Sequence, residues 1–473
     1  MTQRVVIAGG GITGLTAAYR LQQKARTSGI PAEILVVERE PRLGGKTQTE
    51  KIDGFIIEQG PDSFIAFKPW FGQLCRELGL PTVGPNPKVK TTYIYFRGRM
   101  EQLPVGMQIM IPTQIWPFLK TRLLSPMGKL RAGLEPFIPP RRSDEDESIA
   151  SFVRRRFGRE ILENLAGPLM GGIYGGDYEI VSMKTTFPRF MEMERTHGSL
   201  LLATWRNKKK YRPQGPTGSP FETIPTGLHD AVEALVRAST DVRYLAGTSL
   251  EGLAPAESEG GYHLLLSNGD RLRADAVVLA TPAYVSADLM RDRWPEVADL
   301  LAEIPYGNSV VVALAYRRKD VAHPLDASGF LVPIREPLEV TASTWVSSKW
   351  PHAAPPDKVL LRCFVGRAYG RDWTQEPDEV ILDTVKRNLA QVMGLTAEPL
   401  FTRIYRWPRA MAQYRVGHLD RMDHLDRLMQ QIPGLFLAGA AYRGIGLPDC
   451  TREGNQAAEK VARYLGWNEP KSS

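Results

Sequence analysis

The sequence predicts an α/β fold, a Rossmann-like nucleotide-binding domain that carries a helical insert and a mixed-sheet second domain. Three observations predict it. The chain opens with a short apolar run, Arg4 to Ala8, then the glycine turn Gly9-Gly10-Gly11-Ile12-Thr13-Gly14 and a helical pattern. From Asp241 to Ala280 the apolar period falls to two around the turn signal Asn268-Gly269-Asp270. Near the end, Leu435-Phe436-Leu437-Ala438, a second glycine-rich turn and a final helical pattern echo the opening unit without repeating it.

In chain order, Thr13 to Gln23 carries helical spacing through Leu15, Ala18, Tyr19 and Leu21, and Glu33 to Val37 is a second buried strand, which completes a βαβ unit. Arg97 and Arg99 flank a hairpin tip at Gly98 and read as solvated arginines. Met107 to Leu124 is apolar and broken by Pro112 and Pro117, which interrupts any continuous amphipathic face and favours a cavity roof. After the acidic run Ser143 to Glu147 a helix starts, with Ile149, Phe152, Val153 and Phe157 on one face and Arg154-Arg155-Arg156 complementing its dipole. Two β runs, Tyr262 to Ser267 and Leu272 to Leu279, form a hairpin that feeds a buried strand. Further strands cover Ser309 to Tyr316 and Val359 to Val365, and the last helix runs from about Thr451 to Leu465, with a frayed tail after Trp467.

At about 150 residues per domain, 473 residues allow two or three domains, and 43% apolar content excludes a disordered chain. No stretch approaches the ~18 uninterrupted apolar residues of a spanning helix, and no charged segment precedes the first apolar run, so the expectation is a protein neither secreted nor membrane-spanning. Cys75, Cys363 and Cys450 are too few and too scattered for a disulfide framework or a metal site, which implies a reducing compartment. The seven histidines show no triad or metal spacing, and no metal is expected. The net charge of +8 favours an anionic partner. Nucleic acid is not that partner, because the one dense basic run, Lys208-Lys209-Lys210, lies between Gly/Pro-rich segments as a solvated loop.

The glycine turn is placed where a dinucleotide needs it. Gly9 permits the tight turn, Gly11 lets backbone approach a pyrophosphate, Gly14 allows close helix packing, and the free amides at Ile12 and Thr13 attract phosphate. Glu38, ending the second strand, supplies the carboxylate for an adenosine ribose. Arg39-Glu40-Pro41-Arg42-Leu43-Gly44-Gly45-Lys46 then adds a second glycine pair and further bases, and Gly60-Pro61-Asp62-Ser63 follows.

Through Glu38, Arg42, Gly44, Gly45 and Gly60 the chain resembles the flavin amine oxidase superfamily, and a plain NAD dehydrogenase has no such continuation. The resemblance implies FAD as cofactor. It implies binding roles for Arg39, Arg42, Gly45, Lys46 and the Gly60 to Ser63 loop, for Val242 through its backbone, and for Trp407. It also implies that Gly439, Ala440, Ile445, Gly446 and Leu447 close over the isoalloxazine, with a helix N-terminus stabilising charge on the reduced ring. Ser148 to Glu160, Pro168 to Asp177, Ile304-Pro305-Tyr306, Trp407-Pro408, Gln413-Tyr414 and Gly417-His418 narrow the likeness to the protoporphyrinogen/coproporphyrinogen III oxidase family, over essentially the whole chain. The compact N-terminus and Gly60 to Phe64 followed by Lys68 are similar to its soluble Gram-positive branch.

That resemblance implies oxidation of a porphyrinogen in haem biosynthesis, coproporphyrinogen III ahead of protoporphyrinogen IX, with hydride passing to FAD and dioxygen giving peroxide. Little acid or base strength is needed. Lys68, just after the flavin-contacting loop, is the candidate catalytic residue facing substrate. The carboxylate-binding arginine of the plant and animal branch is not carried over, since Thr91-Thr92 stands there. The implied partners are the anionic tetrapyrrole and dioxygen, with transient contact to other haem-synthesis enzymes and at most peripheral membrane contact, in the cytoplasm. The implied FAD-binding domain is discontinuous, 1–88, 214–304 and 408–473, with a mostly helical insert 89–213 over the substrate cavity and a β-rich substrate-binding domain 305–407. A polyamine or monoamine oxidase shares the frame, and a non-catalytic porphyrin-binding flavoprotein is the alternative outside enzymes.

Overall fold

Val5, Val6, Ile7 and Ala8 are all buried, which a strand achieves only when both faces of its sheet are covered. In the computed structural model, which describes residues 2–108, 111–112, 114–174, 176–206, 219–256, 260–367 and 370–467, the strand Gln3–Ala8 is the middle of a five-stranded sheet. Ala32–Glu38 and then Val242–Ala246 lie on one side, Ala276–Leu279 and Leu435–Leu437 on the other, all parallel. Val5 and Ile7 pack against Ala18 and Leu21 of the helix Ile12–Ser28 and against Ala458 and Val461 of the helix Leu447–Tyr464. Val6 and Ala8 face the opposite way, toward Leu264, Leu266 and Met290.

The two helices cross at a glycine. A Cβ on Gly454 would lie 2.5 Å from the Thr13 carbonyl oxygen and 2.8 Å from Thr16 Cβ, so the close approach depends on the missing side chain. The first helix ends at Gly29, whose φ of 65° is the left-handed stop that glycine accepts.

On the other face lies an antiparallel meander, Leu250–Pro255, Tyr262–Leu266 and Arg271–Ala274. Asn268-Gly269-Asp270 makes the expected hairpin, but the run expected over Leu272 to Leu279 is two strands. The break falls at Asp275, whose carboxylate accepts hydrogen bonds from the Arg4 amide (2.7 Å) and the Arg273 guanidinium (2.9 Å) while the chain crosses into the parallel sheet as Ala276–Leu279.

A second sheet of seven strands is built around Tyr306–Arg317, which pairs antiparallel with Lys358–Val365 and with Phe401–Ala412. The hairpin Tyr93–Phe96 and Arg99–Gln102 closes at Arg97 (φ 51°) and Gly98 (φ 78°), the positive-φ pair of a two-residue turn. It joins this sheet at its edge through Gly329–Leu331, because an isolated hairpin cannot bury its apolar face. Residues 93–102 therefore pair with the seven-stranded sheet, with Tyr95 in its core, while Ile94 and Phe96 turn toward the core of the helices that follow.

Between residues 115 and 206 the chain is helical, with its own core. Ile149–Phe157 buries Ile149, Phe152, Val153 and Phe157 as its spacing predicts, and starts at Ser148, whose Oγ accepts from the Ser151 amide. Arg156, in its last turn, is fully buried. Its guanidinium pairs with Glu135 and donates to the carbonyls of Ile138 and Gly198, both at 2.8 Å. Glu135 is fully buried too and accepts from Ser199 Oγ (2.5 Å) and the amides of Leu200 (3.0 Å) and Leu201 (3.2 Å). The pair pins the segment Glu135–Phe137 to two helices.

No helix among the described residues is long and apolar enough to cross a membrane. The helix Ile115–Lys120 and the segment Glu135–Phe137 each turn a large apolar group outward, with Trp116 74% and Phe137 82% exposed. The run Lys208 to Lys210 and the tail 468–473 lie outside the described residues. Removing one member of a buried ion pair strands the other, so Glu135→Ala is expected to cost about 3–5 kcal/mol in denaturant unfolding.

Candidate functional site

The parallel strands deliver their carboxyl ends to one edge, where open α/β sheets bind ligands. Gly9, at φ 110°, turns the chain there, with its amide on the Val37 carbonyl (2.8 Å). A Cβ on Gly9 would meet the Ala280 carbonyl oxygen at 2.7 Å, and one on Gly14 would collide with the Gly9 carbonyl, so both packing roles hold. At Gly11 a Cβ would meet nothing within 4 Å. Gly11 therefore borders open space at the uncapped start of a 17-residue helix. The carboxylate of Glu38 accepts from the Gly10 amide (2.6 Å) and the Glu40 amide (2.9 Å), which fixes it beside the turn.

The second glycine pair lies against the first turn. The Gly44 amide donates to the Gly10 carbonyl at 2.7 Å, and a Cβ on Gly45 would sit 3.4 Å from Gly11 Cα. A Cβ on Gly60 would collide with the Lys46 carbonyl, so the 60–63 loop is stitched onto the 44–46 loop. Lys46 itself is open to solvent on one side but crowded by protein on the others. That burial holds its ammonium below the ordinary pKa, and the side chain has no carboxylate partner among the described residues. Among the described residues, Arg42 donates to Gln59 Oε1 at 3.3 Å.

The 60–63 loop is held from the second sheet. Lys349 Nζ reaches Asp62 at 3.0 Å, Arg362 lies 3.8 Å from the same oxygen and donates to the Gly60 carbonyl at 2.6 Å, and Trp407 Nε1 donates to the Gln59 carbonyl at 2.8 Å. Burial alone would raise the Asp62 pKa, but the Lys349 and Arg362 charges override it and hold the carboxyl far below its usual range. Glu58, four residues before Asp62, goes the other way: burial pushes it up to about 7, although the Leu228 amide (2.7 Å) and Thr49 hydroxyl (2.8 Å) donate to it.

The C-terminal turn completes the edge. Tyr414 Oη donates to the Ala440 carbonyl and accepts from the Gly444 amide, both at 2.7 Å. Its ring stacks on buried His418 at 4.1 Å, and burial lowers that histidine to about 4. The helix Leu447–Tyr464 then begins at Gly446, again with no side-chain cap. Lys68 points at this helix. Its ammonium is bound by Asp449, at 3.0 and 2.7 Å from the two carboxylate oxygens, so it is not free toward a substrate.

A cleft of about 140 Å³, partly open to solvent, lies between the helical layer and the second sheet. Gly167, Pro168 and Tyr178 line one wall and Asn308, Thr341 and Phe364 the other. None of the described residues between Met107 and Leu124 lines it.

Three features fit a bound FAD. Gly11 faces empty space, two long helices start uncapped at the same edge, and Lys46, among the glycine loops, has no carboxylate partner among the described residues. Gly9, Gly10, Gly11, Ile12, Thr13, Gly14, Glu38, Arg42, Gly45, Lys46, Gly60, Pro61, Asp62, Ser63, Gly439, Ala440, Ile445, Gly446 and Leu447 all belong to this edge or to the loops bonded to it, while Trp407 reaches the loop from a strand of the second sheet. Arg39 stays at the exposed rim, paired with Glu40 at 3.0 Å. Val242 requires a correction. It starts its strand opposite Ile34, four residues or about 13 Å before the Glu38 end, with its side chain in the core. What reaches Glu38 from that segment is Gly247, bonded to the Glu40 carbonyl, and Thr248, bonded to the Glu38 carbonyl, both at 2.9 Å.

Sequence reasoning missed Arg362, Lys349, Glu58 and Asp449. Arg362 left a signal, a lone cation inside the apolar strand Lys358–Val365, since a buried charge must have a partner. Lys349 left none.

The family model for flavin containing amine oxidoreductases matches residues 12–462. The chain is 37% identical to the coproporphyrinogen III oxidase of Bacillus subtilis (strain 168), over 98% of each chain. A crystal structure assigned as a protoporphyrinogen oxidase from Exiguobacterium sp. 255-15 superposes with a TM-score of 0.87 at 32% identity, covering 98% of this chain and 99% of that one. Cyclohexylamine oxidase from Brevibacterium oxydans, at 18% identity and a TM-score of 0.69 over 98% of this chain and 100% of its own, shares the fold.

Gly11→Ala adds a methyl group in open space and is expected to keep the unfolding midpoint while weakening FAD binding tenfold or more, about 1.4 kcal/mol, read from flavin absorbance per protein. Gly14→Ala is expected to destabilise the fold itself by about 1–3 kcal/mol. For Glu58, the folded state keeps a proton up to about pH 7 that the unfolded chain releases near its ordinary 4.5, so stability falls as pH rises through that window. Glu58→Gln is expected to remove about 3 kcal/mol of this pH dependence in denaturant titrations run between those limits.

Proposed function

The chain belongs to the flavin containing amine oxidoreductase family, and from that premise we propose that it oxidises a porphyrinogen to a porphyrin in haem biosynthesis, with coproporphyrinogen III as the preferred substrate. The observation that carries this reading is the reach of the likeness to coproporphyrinogen III oxidase, which runs through the glycine loops and through both walls of the cleft. FAD, when bound, supplies the two-electron acceptor and returns the electrons to dioxygen as peroxide.

The chain's own work is holding and excluding. Gly9 to Gly14, Gly44, Gly45 and Lys46 would hold the pyrophosphate and Glu38 the ribose, while Asp62, clamped by Lys349 and Arg362, fixes the loop beside them. The cleft between the helical layer and the seven-stranded sheet is where the macrocycle would lie. No strong general base is required there, because formation of the aromatic product drives the loss of hydrogen. The excess of 60 Lys and Arg over 52 Asp and Glu suits a substrate with four propionates better than one with two.

The reading places the protein in the cytoplasm, which the free thiols of Cys75, Cys363 and Cys450 support. Exposed Trp116, on the helix that carries Lys120 and whose Leu119 carbonyl accepts from Lys129, suits peripheral contact with an anionic membrane.

The test is turnover by the purified yellow holoenzyme. Coproporphyrinogen III is expected to bleach the flavin without oxygen and to yield fluorescent porphyrin and peroxide in air, at least tenfold faster than protoporphyrinogen IX. Bleaching by spermidine instead would make it an amine oxidase. Porphyrin binding without peroxide release would make it a carrier.

A further inference from the structure

We propose that Lys68 is a positioning residue that sets the redox balance of the bound flavin, acting through Asp449. This rests on the reading above, in which FAD lies along the turn from Gly439 to Leu447. The helix Leu447–Tyr464 starts there uncapped, and its first amides give that end a positive pole of about half a charge. Asp449 is the third residue of the helix and only 3% exposed. Its carboxylate folds back over the same end: a Cβ on Gly446 would lie 3.4 Å from Asp449 Oδ2, and one on Gly444 would collide with the carboxyl carbon.

A full negative charge outweighs half a positive one. Alone, Asp449 would reverse the field at the helix start and disfavour the negative charge that a reduced isoalloxazine carries on its pyrimidine edge. Lys68 prevents this from another element. It stands at the N-cap of the helix Pro69–Glu77 and donates to both carboxylate oxygens, at 3.0 and 2.7 Å. Arg452, one turn along, is farther from Asp449 at 3.5 Å, divided with Glu453 at 3.3 Å, and lies over the Trp70 ring at 5.0 Å. The ammonium of Lys68 is thus the charge that neutralises Asp449 and leaves the helix pole positive.

The experiment equilibrates the FAD-loaded enzyme with a reference dye without oxygen and reads the reduced-to-oxidised flavin ratio, with holoenzyme unfolding followed in parallel. Lys68→Met is expected to lower the ratio about tenfold, which is about 30 mV for a two-electron couple. Lys68→Arg should leave it at the wild-type value, and Asp449→Asn should raise it. The double variant Lys68→Met/Asp449→Asn should return close to wild type. An unchanged ratio in a folded, flavin-loaded Lys68→Met enzyme overturns the proposal, as does an equal shift in Lys68→Arg, which would mean packing and not charge. A wild-type protein that takes up no FAD overturns the underlying functional reading first, and this proposal with it.

Discussion

The site depends on backbone approaching backbone at the carboxyl edge of the parallel sheet. Gly9 packs on the Ala280 carbonyl, Gly14 on Gly9, Gly44 on Gly10 and Gly60 on Lys46, and at each point a Cβ would enter occupied space or force the turn open. The result is a set of loops close enough to present amides and a cation around one open place, beside Gly11. The strands supply the rigidity that loops alone lack.

Electrostatics divides the edge into clamps and free charge. Asp62 is saturated by Lys349 and Arg362, and Asp449 is neutralised by Lys68, so neither carboxylate is left to repel an anionic ligand. Lys46 has no such partner among the described residues, which leaves positive charge where phosphates would lie. The clamp on Asp62 also ties the two sheets together, since both cations come from the seven-stranded side while the loop they hold belongs to the nucleotide side.

Much of this was legible in the chain. The opening strand, the glycine spacing and Glu38 announce themselves because each is a local solution to a local problem, a buried strand, a tight turn and a carboxylate at a strand end. The helix Ile149–Phe157 was legible for the same reason, since periodicity alone fixes which face it buries. The bond between Lys68 and Asp449 was not legible, because the partner that commits the ammonium lies in the C-terminal helix. Val242 was misplaced because an apolar residue in a strand looks alike at either end of it, and only the register against Ile34 shows which end it occupies.

By itself, then, the sequence determined the fold class, the nucleotide turn and the family to which the chain is similar, all written in short-range spacing. Tertiary structure alone decided which cations meet Asp62 and Asp449, where the strand of residues 272–279 breaks, and that residues 93–102 join the far sheet. Those outcomes depend on pairings across long stretches of chain, where the free energy of burying a charge or a sheet edge is settled by neighbours that no local window contains.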